Sequence, residues 1–192
     1  MQLALGYYKG IVADEVVGNA QMQLANNGIH LHLHDRTNRP EACVTELMSQ
    51  IYVLMAPSLV QSIATGMLAN VAYDALKHSI FMFSSSIPGK TILQIDAVGE
   101  KATIPADFGI RFSAGRGSFD LRVPSSASEA IQNKCIEEAF KIIKDNGPGK
   151  QDSVEDILNL RNYIGNFDSK TGQWALTDRA EFIKQLKDSG EI

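Results

Sequence analysis

The chain opens on alternation. Leu3, Leu5 and Tyr7 are apolar, and Gln2, Ala4 and Gly6 stand between them, which predicts a strand with one buried face. The stretch that follows, to Asn19, fits either a short helix or a loop. From Ala20 to Asp35 the pattern predicts a hairpin, because Asn27-Gly28 is the preferred dipeptide of a two-residue loop. In that register Leu24 faces Leu31 and Met22 faces Leu33. Gln23 opposes His32 and Gln21 opposes His34 on the other side. Apolar pairs share one face and polar pairs the other, a match that a one-residue slip destroys.

The longest feature is Leu47–Tyr73, which contains no charged residue; Glu46 precedes it and Asp74 follows it. Pro40-Glu41 predicts a helix running towards Ala56, and Pro57 a second helix reaching about His78, since proline suits a first helical turn. Along that second helix Leu59, Val60, Ile63, Met67, Leu68 and Val71 recur with helical spacing. Ser62, Gly66 and Asn70 lie on its small, neutral face, and Ser62 and Gly66 make a small-xxx-small step that admits another backbone. Three readings compete: a central core helix, a self-association surface at Ser62, Gly66 and Asn70, and a membrane-inserting helix. The run has the roughly 20 residues that a bilayer span needs. Gln50, Gln61 and Asn70 lower its hydrophobicity, Pro57 interrupts it, and no Lys or Arg cluster flanks it.

Ile80–Phe83 reads as a short buried strand and Ser84–Lys90 as a loop. Thr91–Val123 predicts a meander. A Gly99-Glu100 loop pairs Ile95 with Ile104 and Ala97 with Ala102. A Gly115-Arg116 loop pairs Phe112 with Phe119 and Ile110 with Leu121, and sets Arg111 opposite Asp120. Ser126 and Glu129 form a capping-box pattern before a helix to about Asp145, with Ile131, Cys135, Ile136, Ala139, Phe140 and Ile143 as its apolar stripe. Asn146-Gly147-Pro148-Gly149 marks a boundary. It separates a core domain, residues 1–146, from a C-terminal appendage, residues 150–192, with helices over 153–164 and 178–187 docked through Phe167 and Trp174. The expected fold class is α+β: a mainly antiparallel sheet built from hairpins, packed on the central uncharged helix, with a small helical C-terminal appendage.

Composition changes this picture only by exclusion. The 192 residues carry a net charge of −4 and no basic run, which argues against nucleic acid as the main partner. Cys43 and Cys135 lie far apart without metal-type spacing, so a reducing, cytoplasmic setting is expected. Residues 1–9 lack the basic start and long apolar core of a secretory signal.

Candidate chemistry centres on His30, His32 and His34, which alternate with leucine and end in Asp35. On a strand they point to one side, neighbours roughly 6.6 Å apart. A His-x-His pair can clamp one zinc if a third ligand arrives from elsewhere, such as Asp35 or His78. Cupin-like sites also place His-x-His on a strand, but the glutamate that follows there is replaced here by Arg36-Thr37. A solvated polar face beside Gln21 and Gln23, or a pH-sensitive binding face, explains the same residues. Ser84–Thr91 approaches a phosphate-binding loop, with Ser84 in place of its first glycine, yet the residues after Lys90 alternate like a strand where that motif needs a helix. Ala114–Ser118 is explained by its hairpin. No Gly-x-Ser-x-Gly elbow is present, and neither cysteine has a histidine near it in sequence. Asp152, Glu155 and Asp156 read as charges at a helix N-terminus.

The layout of strand, uncharged helix, short meander and helix resembles small accessory domains of bacterial effector and conflict systems; no residue role follows from that resemblance. The expected function is a non-enzymatic interaction or assembly protein without a cofactor, acting as a homo-oligomer or as a subunit bound to another protein, and the resemblance points to an accessory component of a bacterial effector or defence system. The alternatives are a zinc-dependent enzyme using the strand histidines, and a membrane-active effector inserting the uncharged helix.

Overall fold

The structure is a computed structural model that describes residues 1–37, 49–95, 101–115, 117–124, 127–147 and 161–189. Among these, the strands are β1 (Gln2–Tyr7), β2 (His30–Asp35), β3 (Ile51–Met55), β4 (Thr91–Ile95), β5 (Lys101–Pro105), β6 (Phe108–Ala114), β7 (Gly117–Val123), β8 (Arg161–Asp168) and β9 (Gln173–Asp178). The helices are α1 (Asp14–Ala25), α2 (Pro57–Ala64), α3 (Asn70–Ser85), α4 (Glu129–Asn146) and α5 (Arg179–Ser189). Seven strands form one sheet in the order β2-β1-β3-β6-β7-β8-β9, and β4 with β5 forms a separate ribbon. The fold is therefore α+β.

The sheet is mixed rather than mainly antiparallel. The pairs β1–β2, β3–β6 and β7–β8 are parallel, and they alternate with antiparallel β1–β3, β6–β7 and β8–β9. The reason lies in the connections. Each parallel pair is joined by a segment carrying helix, because a tight turn cannot return a chain in the same direction. One sheet face, with Leu3, Leu5, Val53, Ile110, Phe112, Phe119 and Leu121, is buried in a single core with Leu24 of α1, Leu59 of α2, Leu76 of α3 and Phe140 of α4. Phe112, Phe119 and Tyr163 stack across three neighbouring strands at centroid distances of 5.1 and 5.3 Å. On the opposite face, α5 covers Ile164 with Leu186, Phe182 and Ile183.

The predicted hairpin over 20–35 is corrected to a helix followed by a strand. Val17, Ala20 and Leu24 are buried at helical spacing, and Met22, which the hairpin placed inside, is 63% exposed. The Gln21–Leu24 alternation is too short to outweigh a run of helix-forming residues with Asp14 and Glu15 at its start. Asn27-Gly28 ends the helix instead of turning a ribbon. Gly28 has φ +73°, its N–H bonds the Ala25 carbonyl, and the Ile29 N–H reaches back to Leu24. That is the glycine-closed helix terminus, with its usual apolar contact made by buried Leu24 and Ile29.

The two helices expected across the uncharged run are corrected as well, the first towards Ala56 and the central one from Pro57. Ile51–Met55 is a mid-sheet strand with Ile51, Val53 and Met55 buried, an alternation hidden inside the uncharged run. The rest forms two helices, because Gly66, at φ +68°, closes α2 and the chain restarts at Asn70. Ile80 and Phe83, predicted as strand, are buried on α3 with Leu76. Ser84 and Ser85 end α3, so the phosphate-loop-like segment follows a helix and precedes a strand, the reverse of what that motif requires.

In the expected meander, β6–β7 has the anticipated register: Phe112↔Phe119, Arg111↔Asp120, Ile110↔Leu121. The β4–β5 pairing exists with a different register, Ile92 opposite Ile104, and it stands apart from the main sheet. The α4 helix starts at Glu129 after Ser128, two residues later than the capping box implied, and buries the predicted stripe from Cys135 to Ile143. Beyond residue 160 the helix expected over 178–187 is present as α5, but residues 161–164, expected to end the first helix, belong to β8, which with β9 extends the main sheet. Trp174 packs edge-on against Phe167 and its indole N–H donates to the Cys135 carbonyl on α4 at 3.3 Å. The expectations for 40–48, 96–100, Arg116, Ser126 and 148–160 fall outside the described residues.

Gly28→Ala tests the helix terminus. A left-handed backbone at a residue with a Cβ costs about 1–2 kcal/mol, so urea unfolding is expected to show a loss of about that size with the native spectrum retained.

Candidate functional site

Among the described residues, three places gather exposed or chemically distinctive groups. The first is the β2 edge. Register places His30, His32 and His34 on the side shared by Gln2, Ala4 and Gly6, opposite the helical core face. All three histidines are exposed, and a groove of about 390 Å³ beside two of them is lined by Gln2, Gln21, Ala25, His30, Leu31 and His32. The ligands proposed to complete a metal site within one chain do not converge there. Asp35 alternates to the other side of the strand and is engaged: its Oδ1 accepts the Thr37 N–H at 2.9 Å and its Oδ2 lies 3.2 Å from Lys9 Nζ. Hydrogen bonds from Thr37, and then from Lys9, hold its carboxyl down at about 2. His78 is exposed on α3, in the helical layer on the far side of the sheet. Among the described residues no three His, Cys, Asp or Glu side chains gather around a common point.

The second place is the α2–α3 corner, which holds the other predicted residues. Ser62 donates its hydroxyl to the Ser58 carbonyl at 2.9 Å, Gly66 is exposed after the end of α2, and Asn70 is exposed as the first residue of α3. They do not share a helix face, because the helix ends between Ser62 and Gly66. Beside them the corner exposes two large apolar side chains, Met67 at 81% and Val71 at 70%. Leu68, between them in sequence, is buried and anchors the turn. Helical spacing predicts Met67 and Val71 on the buried stripe; the break at Gly66 turns them outward. No described helix is long and apolar enough to cross a membrane.

The third place is a polar cluster on the sheet face opposite the helices, and only its Arg111–Asp120 pair was legible in the sequence. Arg111 Nε donates to Asp120 Oδ2 at 2.9 Å with both side chains largely buried. Asp120 also accepts the Ser49 hydroxyl at 2.8 Å and the Ser49 N–H at 3.2 Å, while the Arg111 guanidinium donates to the Ser49 carbonyl. Ser49 is thus gripped on its side chain, N–H and carbonyl. It lies so close over Gly109 that a Cβ there would meet Ser49 Oγ at 2.1 Å. Gln50 N–H donates to Asp107 Oδ1 at 2.6 Å, and Arg36 donates to the Gln50 carbonyl. The Arg111 guanidinium sits 3.7 Å from the Tyr52 ring centre, and Arg36 lies 5.3 Å from that ring and 5.6 Å from Tyr8. The cluster is a clamp on the start of β3. Its arginines are engaged with carbonyls, a carboxylate and rings, which leaves it poorly suited to bind an anion.

Burial pushes the Asp107 carboxyl above its ordinary value, against the pull of the Gln50 N–H bond and Arg122. Cys135, buried inside α4, has its thiol pushed up to about 12 by the same cause, which removes it as a nucleophile near neutrality. No protein-family model, curated protein or solved structure matches the chain.

Two measurements test the clamp. Asp120→Ala leaves a buried guanidinium and the Ser49 donors without their acceptor, so unfolding free energy is expected to fall by about 3–5 kcal/mol. For Asp107, a raised folded pKa means the fold favours the protonated form. That stabilisation is full below the ordinary aspartate value of 3.8 and is lost as pH rises through the raised pKa. Asp107→Asn keeps an acceptor for Gln50 and does not ionise. Its stability relative to wild type is expected to improve between about pH 3 and about pH 7, as read by urea unfolding.

Proposed function

We propose that this protein is a non-enzymatic assembly protein that works as a homo-oligomer or as a subunit bound to another protein in a reducing, cytoplasmic setting. The observation that carries this reading is the α2–α3 corner. Met67 and Val71, two large apolar side chains within five residues, are 81% and 70% exposed on a turn that Leu68 holds in place. Single exposed apolar residues are ordinary, whereas large apolar side chains exposed close together mark an interaction surface. Ser62, Gly66 and Asn70 flank it with uncharged groups. The acid–base groups elsewhere serve the fold: Asp120 and Arg111 grip Ser49, and Asp107 holds Gln50.

Light scattering after gel filtration tests the reading. Wild-type protein is expected to run as a discrete oligomer or to retain a stoichiometric partner. The double substitution Met67→Asp and Val71→Asp is expected to abolish that assembly while leaving the unfolding midpoint within experimental error, since neither side chain belongs to the core. Equal masses and equal partner retention for wild type and variant overturn the corner as the interface.

A further inference from the structure

We propose that two copies of the chain join edge to edge through β2, and that the paired strands form a zinc-type metal site from histidines of both copies. This surface is separate from the α2–α3 corner, and the inference does not rest on the reading given for that corner.

The argument starts from which way the β2 backbone faces. His30 N–H donates to the Met1 carbonyl and Arg36 N–H to the Tyr7 carbonyl. In a parallel ladder alternate residues bond the same neighbour, so the even residues of β2 direct their backbone groups to β1. Leu31, Leu33 and Asp35 direct theirs outward, and among the described residues β2 is the end strand of its sheet. Natural edges are commonly guarded by lysine, proline or a bulge. His30–Leu33 carries none of these, and Leu33 is 42% exposed.

A second copy is the occupant that this edge fits. An antiparallel β2 placed about a two-fold axis at His32 sets Leu31 opposite Leu33 of the second copy, and Leu33 opposite its Leu31. These are the outward-facing residues, so both become hydrogen-bonded pairs. His32 then opposes His32 of the second copy, and His30 opposes His34. These fall at the non-hydrogen-bonded positions, where Cα atoms stand only about 4.5 Å apart and side chains approach most closely. The two-fold axis runs through the sheet, so the histidines of both copies share one face. Registers centred on Leu31 or Leu33 pair fewer histidines. The His-x-His-x-His alternation is thus self-complementary on a strand whose outward backbone groups have the matching phase.

The same pairing supplies the ligands that one chain lacks. Asp35 is engaged by Thr37 and Lys9, and His78 lies across the sheet. His32 with its copy, completed by His30 or His34 from each side, provides four imidazoles, the donor type and number that a tetrahedral zinc ion takes. Gln2, on the neighbouring strand, faces the same side as a neutral polar neighbour.

Full-length protein without a histidine tag, stripped with EDTA and dialysed, is titrated with zinc sulfate while mass is followed by light scattering and bound metal by elemental analysis. The expected result is a doubling of mass as about half an equivalent of zinc per chain binds, reversed by EDTA. His32→Ala is expected to lose both the metal and the doubling. Leu33→Pro, which removes an outward N–H and no inward bond, is expected to block the doubling. The double substitution Met67→Asp and Val71→Asp is expected to keep it, which separates this surface from the corner. Zinc held by a single chain without a change in mass, no zinc uptake, or a doubling that His32→Ala leaves intact each overturn the proposal.

Discussion

The grip of Arg111 and Asp120 on Ser49 is the constraint on which the centre of this sheet depends. β3 lies between β1 and β6, so its position decides whether the β1–β2 half and the β6–β9 half form one sheet. A short strand of five residues has few ladder bonds to set its own register. The clamp supplies what the ladder lacks: a carboxylate taking two donors from one residue, a guanidinium on that residue's carbonyl, and the next residue tied to Asp107. Gly109 leaves the space in which Ser49 sits. Such a buried network is favourable only when its donors and acceptors are matched, and that requirement makes it selective for one register.

The two sheet faces have consequently taken different roles. The apolar face is continuous from β1 to β9 and is covered by α1 to α4. The other face is divided: α5 covers it at β8, the clamp fills it near β3, β6 and β7, and the histidine row occupies it at β2. The divided face carries the chain's distinctive chemistry because a helix-covered face must be apolar to be worth burying. The separate β4–β5 ribbon and the α2–α3 corner both lie within the long connection from β3 to β6. That connection carries the two most exposed large apolar side chains among the described residues, Met67 and Val71, and the exposed Leu93.

Much of the local order was legible in the residues. Alternation revealed β1, the Gly115-Arg116 loop set the β6–β7 register including the Arg111–Asp120 pair, and the α4 stripe is the one buried. These cases share a cause: each pattern spans enough residues, or is tied to a turn close enough, that no distant contact can offer a better alternative. The histidine row was legible in the same way, because strand alternation fixes side-chain direction whatever the partner strand.

What tertiary structure decided were the places where two local rules agreed equally well with the residues. Asn27-Gly28 suits a hairpin loop and a helix terminus alike, since both need a left-handed backbone; burial of Ala20 and Leu24 in the helical layer selected the helix. The uncharged run suited two helices meeting at Pro57, the second by its periodicity. Its first part was claimed by the sheet, where Ile51 and Val53 fill the centre, and Gly66 broke the remainder, turning Met67 and Val71 to solvent. By itself the sequence determined the alternations and turn chemistry of short segments, because these act over a few bonds. The strand order, the mixed directions and the clamp were decided only by the fold, because each depends on the free energy of burying residues from distant parts of the chain against one another.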